Sequence, residues 1–120
     1  MYYIGIDISK FKHDCAVIDD SGEIVTPSWS FTNDAEGFSQ LKLLLNSLDT
    51  ETRIGLESTG HYGMNLKLFL ESNNFSFMEF NPLLINRFVK SKSLRKTKSD
   101  SIDCMMIAHY LMTVEYKPYP

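Results

Sequence analysis

No stretch of this chain limits its fold more than Tyr2-Tyr3-Ile4-Gly5-Ile6-Asp7-Ile8-Ser9-Lys10. Isoleucine at every second position gives a period of two, which is a strand signal. One face of that strand is branched and apolar. The other carries Gly5 and, two residues on, the carboxylate of Asp7. A charge costs free energy to bury unless it is paired or holds a metal. A glycine in a strand leaves room for something to come close. The rest of the chain must therefore supply whatever Asp7 faces.

The chain has 120 residues, 43% apolar and 22% charged, which suits one domain with one core. No apolar run is long enough to span a bilayer, and no basic-then-apolar leader opens the chain. Cys15 and Cys104 lie far apart and suit two buried thiols of a cytoplasmic protein better than a secreted disulfide framework. Net charge is −3, which by itself argues against a nucleic-acid binder. The distribution says more. Between Glu79 and Asp100 there is no acidic residue, while Arg87, Lys90, Lys92, Arg95, Lys96 and Lys98 all fall there, half of the twelve Lys and Arg residues. Such a patch is a local footprint for phosphate, although a solvated loop has the same composition.

In chain order, strands are predicted over about Tyr2–Ser9, Phe11–Asp19 and Glu23–Phe31, with Pro27 at an edge or bulge because it cannot donate to a ladder. Asn33 is the expected cap of a first helix, with Glu36 completing a capping box. Thr52–Glu57 is a short fourth strand. A loop follows, then a second helix to about Ser72 that buries Leu66, Phe69 and Leu70. Phe75–Phe80 is the fifth strand. Asn81-Pro82 opens a third helix burying Leu84, Ile85 and Phe88. A last helix covers about Ser101–Val114, with Ile102, Met105, Met106 and Tyr110 as its apolar side. The order βββαβαβαα implies an α/β fold. An antiparallel meander leads into parallel strands, and helices flank a mixed five-stranded sheet.

In a sheet of this order the first strand is central, and the loop after the fourth opens where α/β sheets place their sites. Asp7 and Glu57 then come onto neighbouring strands. Asp100 and Asp103 share a face at the start of the last helix, so four carboxylates can converge. Two like charges ~4 Å apart repel by about 4 kcal/mol at an effective dielectric near 20. A convergent set stays ionised only with cations present. Carboxylate oxygens without His or Cys suit Mg²⁺ or Mn²⁺ rather than zinc. Plainer roles exist for each residue. Asp100 and Asp103 fit a helix cap and its third position, Glu57 fits a solvated loop, and Ser58 or Thr59 fit capping better than catalysis. His13, His61 and His109 have no ligand spacing with each other or with the cysteines.

Three stretches resemble a known family. Gly-Ile-Asp-Ile-Ser-Lys (Gly5 to Lys10), Leu-Glu-Ser-Thr-Gly-His-Tyr-Gly (Leu56 to Gly63) and Lys-Thr-Lys-Ser-Asp-Ser-Ile-Asp-Cys-Met-Met-Ile-Ala (Lys96 to Ala108) follow in the order seen in the DEDD transposases of the insertion-sequence-110 family. These are RuvC-like recombinases of bacterial insertion sequences. The resemblance covers essentially the whole chain and implies an RNase H-like (RuvC-like) fold. Carried over by position, it places the acidic tetrad on Asp7, Glu57, Asp100 and Asp103, with Mg²⁺ bound there for DNA cleavage and strand transfer. It also implies a structured guide RNA, a homo-oligomer, and a C-terminal domain that supplies a serine nucleophile. That domain is missing here, so the 120 residues are expected to be the N-terminal part of a longer transposase. Family members often carry Arg and Ala around the last two aspartates, where this chain has Ser101 and Cys104. That departure touches one phosphate contact rather than the tetrad.

Three other readings share some of these features. A RuvC-like Holliday-junction resolvase has the same fold and a similar site, and should cut four-way junctions unaided. Half of an actin-like ATPase also opens with a Gly-x-Asp strand, but needs a second glycine-rich loop that this sequence lacks. A plain interaction module would have no use for Asp7.

Overall fold

The computed structural model describes residues 1–57, 60–91 and 103–118. Among these, β1 (Tyr2–Asp7), β2 (Lys12–Asp19), β3 (Ile24–Thr32), β4 (Thr52–Glu57) and β5 (Met78–Phe80) form one sheet in the order β3-β2-β1-β4-β5. β2 is antiparallel to both β1 and β3, whereas β1, β4 and β5 are parallel. Helices α1 (Ala35–Ser47), α2 (Met64–Ser72), α3 (Pro82–Ser91) and α4 (Cys104–Thr113) flank it. This is the mixed α/β arrangement expected from the element order, with β1 in the middle, and it is consistent with the RNase H-like fold that the resemblance implies.

Alternation along the strands divides the core in two. Ile4, Ile6, Cys15, Val17, Ile54 and Leu56 share one face and pack with Phe38, Leu41 and Leu45 of α1 and Leu66 and Leu70 of α2. On the opposite face Phe80, Ile85, Val89, Ile107 and Leu111 form a second cluster beneath α3 and α4. Both cysteines are buried and unpaired. Among the described residues, no helix is long and apolar enough to cross a membrane.

Gly5 sets how α4 sits. A Cβ there would lie 2.1 Å from the Cys104 carbonyl oxygen and 2.5 Å from the Ala108 nitrogen. The helix backbone therefore rests directly on β1. The face buried on α4 is Cys104, Ile107, Ala108 and Leu111, not the expected Met105, Met106 and Tyr110, which are half-buried. Ile102 lies outside the described residues. α4 is apolar nearly all round, so periodicity cannot choose its face. The small residues Cys104 and Ala108, one turn apart, choose it by fitting over Gly5.

Other boundaries also differ from expectation. The cap of α1 is Asp34, whose side chain accepts from Gly37 N at 2.9 Å. Asn33 is used elsewhere. Thr32 Oγ1 donates to Asp34 and helps to hold it in the cap position. β5 is three residues long because Phe75 belongs to the end of α2. Asn74 takes a φ of 61°, and the Phe75 N–H donates to the Leu70 carbonyl. This is a left-handed helix end. Phe69 is only half-buried on α2. On α3, Leu84 is exposed and Val89 takes the buried place beside Ile85. Pro27 does lie at a bulge on an edge strand, where the β2–β3 register shifts.

Candidate active site

Asp7 ends β1, and Leu56, the residue before Glu57, pairs in parallel with Ile6. Asp7 and Glu57 thus stand side by side at the carboxyl ends of two adjacent parallel strands. Both are half-buried. α4 runs over Gly5 on the same face, which brings its first turn to this end of the sheet. Asp103 is the N-cap of α4, with Oδ1 accepting from Met106 N at 2.9 Å. That bond leaves its second oxygen outside the cap.

Sequence reasoning missed a further carboxylate. Asp14 of β2 is paired directly across from Asp7, and Ser30 on β3 donates its hydroxyl to Asp14 Oδ1 at 2.5 Å. The signal was available, because folding the first two strands as a hairpin sets Asp14 opposite Asp7 on the same face. The electrostatic outcome is visible on Asp7. Burial, and then the negative charges of Glu57, Asp14 and Asp103, push its pKa up to about 6 from an ordinary 3.8. A carboxylate so shifted, at the end of a central strand and beside other carboxylates, marks a candidate functional site.

Asp100 lies outside the described residues, as do Lys92, Arg95, Lys96, Lys98, Ser58 and Thr59. Arg87 and Lys90 are described and stand exposed on α3. α2 begins at Met64 with Gly63 at its cap position, and the capping role expected of Ser58 or Thr59 falls outside the described residues. Among the described residues no three His, Cys, Asp or Glu side chains are grouped tightly enough to hold a metal ion. The groups acting on Asp7 are the carboxylates of Glu57, Asp14 and Asp103, and carboxylate oxygens suit a hard divalent cation better than zinc.

The histidines do other work. His13 is fully buried, accepts from Ser9 N at 3.2 Å through Nδ1, and meets Phe31 edge-on. Burial pushes its pKa down, against the opposing influence of Asn33 and Asp14. It thereby pins the turn that follows Asp7.

A family model described as a transposase, of the DEDD type of IS110, matches residues 4–120. The chain belongs to the IS110-type DEDD transposase family. This transposase domain is 33% identical over 111 residues to a pilin gene-inverting protein of Moraxella lacunata, and 34% identical over 112 residues to that of Moraxella bovis. Each match covers 90% of this chain and 33% of the relative. A mini-circle putative transposase for IS117 from Streptomyces coelicolor is 28% identical over 115 residues, covering 92% of this chain and 27% of the relative. The chain thus spans about a third of the length of these curated relatives.

Proposed function

We propose that the chain is the N-terminal catalytic domain of an insertion-sequence recombinase that cleaves and transfers DNA strands with divalent metal ions. The observation that carries this is the crowding of negative charge on Asp7. Burial, and then the charges of Glu57, Asp14 and Asp103, push the Asp7 pKa up to about 6; a proton or a cation relieves such crowding, and in this reading a divalent cation takes that part at neutral pH. Asp7, Glu57 and Asp103, together with Asp100, would hold Mg²⁺ or Mn²⁺. When bound, a pair of such ions activates an attacking oxygen and stabilises the leaving one in phosphodiester chemistry.

The chain's own residues have separable tasks. β1 and β4 fix Asp7 and Glu57 on a rigid sheet, and Gly5 admits the helix that brings Asp103. Ser30 orients Asp14 beside Asp7. Arg87 and Lys90, with Lys92, Arg95, Lys96 and Lys98 beyond them, would hold the DNA backbone. In this reading a serine nucleophile comes from a further domain, in keeping with relatives about three times as long. A structured guide RNA and a homo-oligomer belong to the same reading.

The decisive experiment is a crystal soaked in Mn²⁺. Anomalous density between Asp7 and Glu57 is the expected result, and its loss in Asp7→Asn follows. A site that stays empty at millimolar Mn²⁺, with DNA also present, would sink the metal reading. These 120 residues alone should not complete strand exchange, and full exchange by them would refute the need for a serine domain. Unaided cleavage of four-way junctions would favour a resolvase instead.

A further inference from the structure

Two exposed aromatic loops lie at the carboxylate end of the sheet and are tied together. Phe11, in the turn between β1 and β2, is 75% exposed, and the Lys10 ammonium sits 5.0 Å from its ring centroid. On the short 3-10 helix after β4 (Gly60–Gly63), Tyr62 is also exposed, with its ring 4.4 Å from that of His61. Asn33 joins the two loops. Its Nδ2 donates to the Lys10 carbonyl at 3.1 Å and the Tyr62 carbonyl at 3.3 Å, and its backbone N–H donates to the Phe11 carbonyl at 2.9 Å. Gly63 seats the second loop from below, since a Cβ there would lie 2.7 Å from Ile8 Cδ1. One asparagine thus holds two aromatic loops in fixed relation, one following Asp7 and the other following Glu57.

Packing does not account for Phe11. Its neighbour His13 fills the core at full burial, while Phe11 leaves most of a phenyl ring in water. We propose that Phe11 and Tyr62 form a stacking platform for an unpaired base of the DNA strand that reaches the carboxylates. The proposal rests on the reading of the chain as a DNA-processing domain. Flat rings accept any base, because every base has a π-face, and a cation beside the ring suits the adjoining phosphate. The bases of intact duplex are stacked on each other, so the platform serves an opened nucleotide. Holding that base fixes the register of the phosphodiester next to it.

The test uses the 120-residue chain and fluorescence anisotropy with four probes of one length. These are a single-stranded DNA, the same strand with abasic sites, its duplex, and the matching RNA. Combined Phe11→Ala and Tyr62→Ala substitution should weaken single-strand binding by about 5- to 100-fold. The abasic strand should already bind weakly and lose less than about twofold more, and duplex binding should hold within about twofold, since neither can stack on the platform. Phe11→Trp should retain affinity and Phe11→Leu should not, which separates stacking from general apolar contact. Equal binding of intact and abasic strands, an equal loss on both from the substitutions, or a larger loss with RNA than with DNA overturns the proposal. Mn²⁺ density at Asp7 is scored separately. A chain that binds metal but shows no base effect loses the platform alone, and one that stacks bases but binds no metal loses only the metal reading.

Discussion

Asp7 works against the stability of the domain that holds it. Its folded pKa of about 6 stands above the ordinary 3.8, so folding favours its protonated form. The penalty is absent below pH 3.8, grows as pH rises toward 6, and is complete above that. Its full size is up to about 3 kcal/mol, and less because solvent screens a half-buried group. Asp7→Asn should therefore raise the melting temperature of the metal-free chain at pH 7.5, with the gain fading as pH falls below 6. Mg²⁺ should stabilise the unsubstituted chain at pH 7.5 and leave Asp7→Asn almost unmoved; thermal melts with and without the ion check both. His13 titrates with the opposite sign. Its lowered pKa means that stability present above about 6.5, the ordinary value, is lost as pH falls. The two effects can be separated only by repeating the pH series on Asp7→Asn.

At the scale of elements, α4 is the part that completes the site, and two residues control it. Gly5 admits its backbone to β1. Gly5→Ala has no flexible side chain to push aside, only the Cys104 carbonyl and the Ala108 nitrogen. Overpacking of this kind costs about 1–3 kcal/mol or more, and urea unfolding should show it as a lower midpoint. Asp103 serves α4 twice, as a cap and as a charge beside Asp7. Asp103→Ala should cost about 1 kcal/mol through the lost cap, whereas Asp103→Asn should cost only a few tenths, because asparagine caps as well. If both substitutions abolish metal binding equally while only the alanine lowers stability, the charge and the cap are separate functions. An equal loss of stability in both would tie the cap to the charge itself.

Over the whole molecule, the charge that matters for DNA is local. Asp7, Asp14, Glu57 and Asp103 gather at one end of the sheet, Asp19, Asp20 and Asp49 lie toward the other, and the exposed Arg87 and Lys90 of α3 begin the basic stretch of the sequence. An acidic domain with net charge −3 can hold DNA only through such a local patch. Binding should then fall steeply with salt, and removing Arg87 and Lys90 together should reduce the slope of log affinity against log salt by about 2. Titrations at several salt concentrations give that slope directly. An unchanged slope would mean that neither side chain contacts a phosphate.

Strand alternation around Ile4 and Ile6, the helix–strand order, the bulge at Pro27 and the neighbouring strand ends of Asp7 and Glu57 were all legible in the sequence, although β1 stops at Asp7 and leaves Ile8 buried beyond it. Each depends on local periodicity or on simple rules for connecting elements, and these operate over a few residues at a time. The buried face of α4 was not legible, because a helix apolar on all sides carries no period, and only contact with Gly5 selects Cys104 and Ala108. Asn33 looked like a cap and became a brace, since the loops it joins meet only after the sheet has formed. Asp14 was within reach of the same rules, since a hairpin of the first two strands sets it opposite Asp7, but no motif marks it. Sequence thus determined which surfaces were apolar and which strands would be neighbours. The tertiary structure decided which side chains share space, because close contact between distant segments depends on backbone shape that no local pattern records.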